Sequence, residues 1–254
     1  MYELVICLVF YAMYLTTSSR GSVEAILFFV GWASIGSVLV GLAVMYIVVY
    51  GRVRYFEDIY SVYFTANERY FLYLCFFFGF GTKLSVWPFW YWLPRAHVEV
   101  STGMSIFLSC VLVKICFYGL IRVNLLIGGE AVILPFIFFI GVGIFDVAMR
   151  LVVQVDLKAI TAYGSVLHIN ILVLVFLFDT TMLNGGLILY IWGHSYATAG
   201  LFYVVHLIER CCGSRITVEL GGVYQMNPVV GLMSILAVLT FLEFPFNFFF
   251  FGEF

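Results

Sequence analysis

The sequence predicts an all-α membrane protein, a bundle of about eight transmembrane helices with one further partial helix. Of the 254 residues, 64% are hydrophobic and only 10% are charged, and the mean hydropathy is +1.11. A soluble domain carries about 25% charged residues, so this chain has too little charge to cover a water-facing surface. The apolar runs are long and do not alternate with polar residues, which argues against a transmembrane barrel. The formal net charge of −2 leaves no basic surface for nucleic acid.

The apolar runs define the predicted spans. A helical span needs about 20 apolar residues, and charged residues, glycines and prolines separate runs of about this length. The first run is shorter, at about 13 residues or roughly 20 Å of helix. We predict one transmembrane domain of residues 1–254, with spans at about 4–16, 23–50, 70–93, 103–123, 131–150, 158–178, 185–208 and 227–243, and a partial span at 246–254.

Local signals support these boundaries. Residues 55–69 mix charged and aromatic side chains, which is typical of a segment at the membrane interface. Asp156 precedes the sixth run and is predicted to cap its helix. Proline removes a backbone hydrogen bond, so we expect broken helices near Pro88 and Pro94 and again near Pro245. In transporters, broken helices surround ion sites.

Four titratable residues fall near the middle of four different spans: Lys83, Lys114, His168 and His194. A charge at the bilayer centre costs about 3 kcal/mol or more, so such residues are expected to be functional. Burial disfavours the charged form of lysine, which lets a buried lysine gain and lose a proton at modest cost. Groups of this kind, linked by water, make a proton path. For either histidine taken alone, a hydrogen-bonded packing role is the alternative.

Other polar residues are assigned structural roles. Asp146 and Arg150 stand one helical turn apart and are predicted to pair locally. Four of the six cysteines lie inside apolar runs, and the adjacent Cys211 and Cys212 lack C-x-x-C spacing, so we predict thiols without a disulfide or metal. No G-x-G-x-x-G motif opens a βαβ unit and no cysteine cluster is present, so we predict no nicotinamide, flavin or iron–sulfur site on this chain.

Four segments together resemble one protein family. Residues 83–99 are similar to the pattern K-x-P-x-x-x-x-x-W-L-P-K-A-H-V-E-A-P, and residues 156–168 to D-L-K-x-x-I-A-Y-S-S-x-x-H. Residues 194–215 resemble A-H-G-x-x-S-x-L-F followed by E-R-x-x-S-R, and residues 247–254 resemble N-F-x-G-E-F. These are the patterns of subunit 4 of mitochondrial NADH:ubiquinone oxidoreductase (respiratory complex I), called the M subunit in bacteria. The W-L-P-[KR]-A-H-V-E string separates this subunit from its antiporter-like sisters, subunits 2 and 5.

The resemblance implies an antiporter-like bundle with a buried chain of proton-carrying residues. In that family a Glu–Lys pair tunes one lysine, a second lysine is the central carrier, two histidines relay the proton, and a last Glu lies at the exit or at the link to the next subunit. Matched in order to this sequence, the family's residues are Glu3, Lys83, Lys114, His168, His194 and Glu253.

The resemblance also implies a cellular setting. It predicts a multi-pass protein of the mitochondrial inner membrane, in an enzyme complex that couples NADH-to-ubiquinone electron transfer to proton pumping. NAD, FMN, iron–sulfur clusters and ubiquinone are expected on partner subunits and not on this chain. The expected partners are other complex I subunits, above all subunits 2 and 5, and membrane lipids such as cardiolipin, but no nucleic acid.

The sequence departs from the family pattern in several places. The resemblance covers helices five to twelve of the family, so we expect a shortened or split subunit whose remaining helices are lost or lie on a separate chain. Ser85 stands where proline is usual, Val100–Ser101 replaces Ala-Pro, and Gly164 replaces serine. Glu243 has no usual counterpart, and it is either an additional proton-carrying group or part of a helix end.

Two other functions remain open at this point. The chain is alternatively a subunit of a multisubunit cation/proton antiporter, which belongs to the same superfamily. It is also compatible with a structural membrane-arm subunit that no longer pumps. Retention of the buried lysines and histidines argues against the structural role, because idle buried charges are costly.

Overall fold

The fold is a bundle of helices. The computed structural model describes residues 2–16, 20–53, 58–59, 62–127, 134–178, 185–245 and 250. Within these ranges there is no strand, and a single antiparallel bridge joins Asp156 to Ile216. The helices are α1 Tyr2–Thr16, α2 Arg20–Gly51, α3 Ala66–Leu84, α4 Trp92–Glu99, α5 Thr102–Phe107, α6 Val113–Ile127, α7 Leu134–Val153, α8 Leu157–Phe178, α9 Gly185–Cys212, α10 Val223–Met226 and α11 Pro228–Phe241.

The helices agree with the predicted all-α class. In the described part of the chain, five helical stretches are long and apolar enough to cross a membrane: Gly21–Gly51, Ala66–Glu99, Thr102–Val123, Pro135–Val153 and Leu157–Phe178. Two shorter apolar helices, Val5–Leu15 and Pro228–Phe241, match the first and eighth predicted spans. The seventh predicted span is helix α9, whose 28 residues extend roughly 42 Å. The count of eight spans and the partial span at 246–254 stay predictions.

The predicted break near Pro88 and Pro94 is confirmed, and its position is now defined. Helix α3 ends at Leu84, Ser85 takes a left-handed conformation with φ 59°, and a 3₁₀ turn over Phe89–Tyr91 leads into α4. Proline cannot adopt a positive φ. The serine that replaces the proline of the family pattern is therefore compatible with this backbone conformation, whereas proline is not. Pro94 lies in the first turn of α4, where its missing N–H needs no helical partner.

The helices depart from regular α-helix in two further places, of which the sequence predicted only the break near Pro245. A π-helical turn, Leu108–Leu112, joins α5 to α6 in one continuous rod. Helix α11 ends at Phe241, and Glu243 has φ 57°, so the helix stops before Pro245 as expected. The small helix α10 had no sequence prediction.

Close packing of α2 against α3 positions Lys83. Gly36 faces Gly79, and a Cβ atom at Gly36 would lie 2.6 Å from the Gly79 carbonyl oxygen and 2.2 Å from Thr82 Oγ1. These two glycines therefore let the helix backbones approach closely beside Lys83. Aromatic and aliphatic side chains fill the surrounding core, with Trp92, Phe29, Phe117 and Phe136 almost fully buried.

Polar contacts hold the break and the helix ends in place. Trp92 Nε1 donates to the Thr82 carbonyl over 2.7 Å, which satisfies a carbonyl freed at the end of α3. The Asp156 carboxylate accepts from the Lys158 backbone N–H over 2.9 Å, so Asp156 caps α8 as predicted. Asp156 also pairs with Arg215 at 2.9 Å. The predicted Asp146–Arg150 pair is present at 3.0 Å.

Candidate proton-carrying site

Lys83 and Glu3 form a direct ion pair. Lys83 is 2% exposed near the end of α3, and its Nζ donates to Glu3 Oε1 over 2.8 Å. Ser37 on α2 donates to the same oxygen over 2.7 Å. The Glu3 side chain is 57% exposed, so the pair has one buried partner and one accessible partner. The two residues that the resemblance pairs are thus in contact.

Lys114 lies directly after the π-helical turn, at the start of α6. Its Nζ donates to the Ser109 carbonyl over 2.7 Å and lies 2.7 Å from Nδ1 of His194 on α9. Single π turns occur often at functional sites because they change the direction in which side chains and carbonyls point. The Cys110 thiol of the same turn contacts the Ser195 carbonyl at 3.1 Å, which fixes this turn against α9.

His194 and His168 continue the line from Lys114. His194 is 2% exposed, and its ring centroid lies 5.9 Å from that of His168 on α8. His168 Nδ1 lies 3.4 Å from the Tyr190 hydroxyl and 3.1 Å from Glu243 Oε1. The structure therefore brings Lys114, His194 and His168 together in one continuous polar cluster inside an apolar bundle.

A cavity borders this cluster. Its volume is about 380 Å³, and Lys114, Tyr118, Arg122 and Trp192 are among its lining residues. The lining is mostly apolar, and Lys114, Tyr118 and Arg122 supply the polar groups that could hold water beside it. Arg122 at the cavity wall places a second cation two turns along the same helix.

Three predicted site residues, Glu3, Lys83 and Glu253, lie outside this cluster as it is described. Glu253 lies outside the described residues, so its predicted role has no structural counterpart. The Glu3–Lys83 contact lies between α1 and α3, whereas the Lys114–His194 contact lies between α6 and α9. Asn170 on α8 is fully buried and donates to the Ser85 carbonyl, just after α3, at 3.4 Å and to the Val166 carbonyl at 2.7 Å.

Sequence reasoning did not assign two buried groups in the same bundle. His97 on α4 is 1% exposed, stacks on Phe202, and interacts electrostatically with both Lys114 and Lys158. Lys158, in the first turn of α8, is 4% exposed and donates to the Val100 carbonyl. Both residues belong to the matched segments, but they stand close to the predicted span ends, where charged side chains usually reach water.

A second cavity has a more polar lining, formed in part by residues of α2, α4 and α8. Its volume is about 450 Å³, and it is lined in part by Glu24, Arg95, Glu99 and Asp156. No group of three or more histidine, cysteine, aspartate or glutamate residues in the described ranges could hold a metal ion.

A membrane bundle with a broken helix and a Lys114–His194 contact inside it defines the class of antiporter-like membrane subunits. The chain belongs to the NADH:quinone oxidoreductase/Mrp antiporter transmembrane family, whose model matches residues 2–254.

Within this family, similar proteins carry the name of the subunit that the sequence resembles. The chain is 32% identical over 237 residues to NADH-ubiquinone oxidoreductase chain 4 of Paramecium tetraurelia, covering 93% of this chain and 49% of that protein. It is 34% identical over 192 residues to chain 4 of Dictyostelium citrinum, covering 74% and 46%. The resemblance to subunit 4 is therefore confirmed, and the chain spans about half the length of these curated relatives.

Solved structures confirm the antiporter-like fold. A chain of respiratory complex I from Thermus thermophilus with bound NADH has a TM-score of 0.87 at 20% identity, covering 99% of this chain and 55% of that one. A chain of the Mrp complex from Dietzia sp. DQ12-45-1b has a TM-score of 0.79 at 20% identity, covering 91% and 43%. Both the redox complex and the antiporter use this fold, so the fold does not choose between them.

Proposed function

We propose that the chain is a proton-translocating membrane-arm subunit of NADH:ubiquinone oxidoreductase in the mitochondrial inner membrane. The observation that carries the proposal is the contact between Lys114 and His194, continued by His168, across three helices of an apolar bundle. Its curated relatives are named as chain 4 of that oxidoreductase. The oxidation of NADH and reduction of ubiquinone are assigned to partner subunits that hold NAD, FMN, iron–sulfur clusters and ubiquinone.

Lys114 is the proposed central carrier. Protonated Lys114 donates to His194 Nδ1, and a proton passed along this hydrogen bond leaves a neutral amine and an imidazolium. His168 then accepts from His194 through intervening water, because ring centroids 5.9 Å apart at 68° are not a direct hydrogen bond. The cavity beside Lys114 provides a place for that lysine to regain a proton.

The Glu3–Lys83 pair is the proposed control element. Separation of the pair would leave the Lys83 ammonium group without its carboxylate partner. Glu3 is the more exposed of the two side chains, so its displacement can open the pair without unpacking Lys83. Asn170 donates to the Ser85 carbonyl at the helix break and stands two residues after His168 on α8, and it is the proposed polar step from this pair towards the histidines.

His97 and Lys158 support a second branch of the proposed path. His97 interacts electrostatically with both Lys114 and Lys158, and the neighbours of Lys158 in sequence, Asp156 and Ala159, line the 450 Å³ cavity together with Glu99. Proton exchange between this cavity and the cluster would use these two side chains. Glu253 remains the proposed outlet or link towards a neighbouring subunit, with subunits 2 and 5 as proposed neighbours and cardiolipin among the surrounding lipids.

The direct test is Lys114→Ala in the assembled complex. Sealed membrane vesicles receive NADH, and proton uptake is followed with a fluorescent pH-gradient dye while NADH oxidation is recorded. We expect uptake per enzyme to fall about tenfold or more, whereas Ile115→Ala, a neighbour on the same helix that is partly exposed, keeps normal uptake. Uptake unchanged by Lys114→Ala would support the structural, non-pumping subunit instead.

The subunit composition of the complex distinguishes this proposal from the alternative, a subunit of a cation/proton antiporter. Solubilised membranes are run on a native gel, stained for NADH oxidation, and the active band is analysed by proteomics. We expect this chain in that band, together with the redox subunits. Its absence from the band, and its recovery with cation/proton antiporter subunits, would replace the proposal. Peptides of a second subunit-4 chain in the band would identify a split form.

A further inference from the structure

Glu243 is a buried carboxylate that the family pattern does not account for. It follows α11 at the turn before Pro245, and its Oε1 lies 3.1 Å from His168 Nδ1. The two side chains are only 15% and 13% exposed. A carboxylate in a membrane bundle is costly, and it is retained where it pairs or serves ion movement. Its position against a proposed relay histidine therefore needs a chemical explanation.

The neighbouring sequence makes room for this contact. A Cβ atom at Gly164 would lie 2.7 Å from ring atoms of Phe241, so glycine leaves room for that ring in its observed position. The Phe241 ring in turn packs edge-on against His168, with centroids 4.7 Å apart. Gly164 and Glu243 are both departures from the family pattern, and Phe241 and Glu243 both contact His168.

The surroundings of His168 define what Glu243 can exchange with. The titratable groups that face the imidazole are Tyr190 and His194 on α9 and Glu243 after α11. Of these, Glu243 alone is a carboxylate, so it can hold the negative charge that matches an imidazolium. His194 is in contact with Lys114, which places Glu243 at the far end of the cluster from that lysine.

We propose that Glu243 is an additional proton-carrying residue that extends the line Lys114–His194–His168 towards the end of α11. This inference rests on the proposed function. In the step, a small rotation of the carboxylate aligns Glu243 Oε1 with His168 Nδ1, and protonated His168 transfers its Nδ1 proton to Glu243, leaving a neutral imidazole and a neutral carboxylic acid. Release of that proton to a water molecule restores the carboxylate for the next cycle.

The test compares three variants in sealed vesicles that carry the assembled complex. Glu243→Gln keeps the size of the side chain but cannot take up a proton, Glu243→Asp keeps the carboxylate, and Glu219→Gln is the matched control at an exposed glutamate. We expect NADH-driven proton uptake per complex to fall about tenfold with Glu243→Gln. Glu243→Asp should recover most of the rate, and the control should match the unmodified protein.

Recovery by aspartate separates proton transfer from packing. Equal loss in Glu243→Gln and Glu243→Asp, or normal uptake in Glu243→Gln, would overturn the inference. The amount of complex is measured by the NADH-stained native gel, and Glu243→Met supplies a second variant without a carboxylate if the glutamine variant assembles poorly. Loss of uptake in Lys114→Ala with normal uptake in Glu243→Gln would refute this inference alone, whereas normal uptake in Lys114→Ala would refute the proposed function.

Discussion

Lys114 Nζ and His194 Nδ1 lie 2.7 Å apart, so a single proton can pass along a hydrogen bond between the two side chains. An ammonium group only donates, and a neutral imidazole accepts at one ring nitrogen. With Lys114 protonated, His194 must therefore be neutral and carry its proton on Nε2. With His194 protonated, Lys114 must be the neutral amine, because two cations at this distance would repel strongly. The pair is a two-state element whose states differ by one proton transfer.

His194→Gln tests this proton transfer. Glutamine can accept from Lys114 through its amide oxygen, so the local packing and the hydrogen bond survive, but it cannot take up the proton. We expect NADH-driven proton uptake to fall about tenfold or more with little change in the amount of assembled complex. The control is His206→Gln, about three turns along the same helix and outside the described cluster. Equal uptake in both variants would mean that His194 is a packing residue.

Gly36→Ala tests the close approach of α2 to α3 at Lys83. The new methyl group would lie 2.2 Å from Thr82 Oγ1 and 2.6 Å from the Gly79 carbonyl, so the helices must separate. We expect a loss of about 1–3 kcal/mol in stability, measured as a lower melting temperature of the solubilised complex. Gly41→Ala on the same helix meets no atom within 4 Å and should be neutral or stabilising by up to about 1 kcal/mol. The same melting temperature in both variants would show that α2 and α3 are farther apart.

Sequence reasoning recovered the fold class and four titratable residues inside the bundle, but it missed Lys158 and His97 and predicted only part of the arrangement. Long apolar runs predict helices reliably because burial of the backbone in lipid leaves few alternatives. Lys83, Lys114, His168 and His194 were found because charges inside such runs are rare. Their mutual contacts depend on how each helix is rotated about its axis, and packing sets that rotation.

Local backbone irregularities account for much of what was missed. The π turn before Lys114 contains no proline or glycine from which it could have been predicted. The serine at the end of α3 has a left-handed conformation that serine seldom adopts. His97 was read only as part of a motif, since its place near a predicted span end favoured an accessible side chain. The fold buries it instead because α4 packs against α2 and α8 after the break.

His97→Phe tests whether this buried histidine carries protons or only packs. In the described structure neither ring nitrogen of His97 has a hydrogen-bond partner, and the ring stacks on Phe202 at a centroid distance of 4.8 Å. Phenylalanine has a similar shape, so we expect stability to change by less than about 1.5 kcal/mol. Proton uptake should nevertheless fall, because the branch between Lys114 and Lys158 is interrupted. Uptake equal to that of the unmodified complex would assign His97 to packing.

Gly164→Ser tests whether the approach of α11 to α8 is what holds Glu243 against His168. The serine Cβ would lie 2.7 Å from Phe241 ring atoms, so the ring must move and its edge-on contact with His168 beside Glu243 is disturbed. We expect proton uptake to fall although serine itself is the usual residue of the family pattern. The double variant Gly164→Ser with Phe241→Leu removes the clashing ring and should recover much of the uptake. If the double variant is as impaired as the single one, the space beside Gly164 is needed for something other than Phe241, and the link between Gly164 and the Glu243–His168 pair fails.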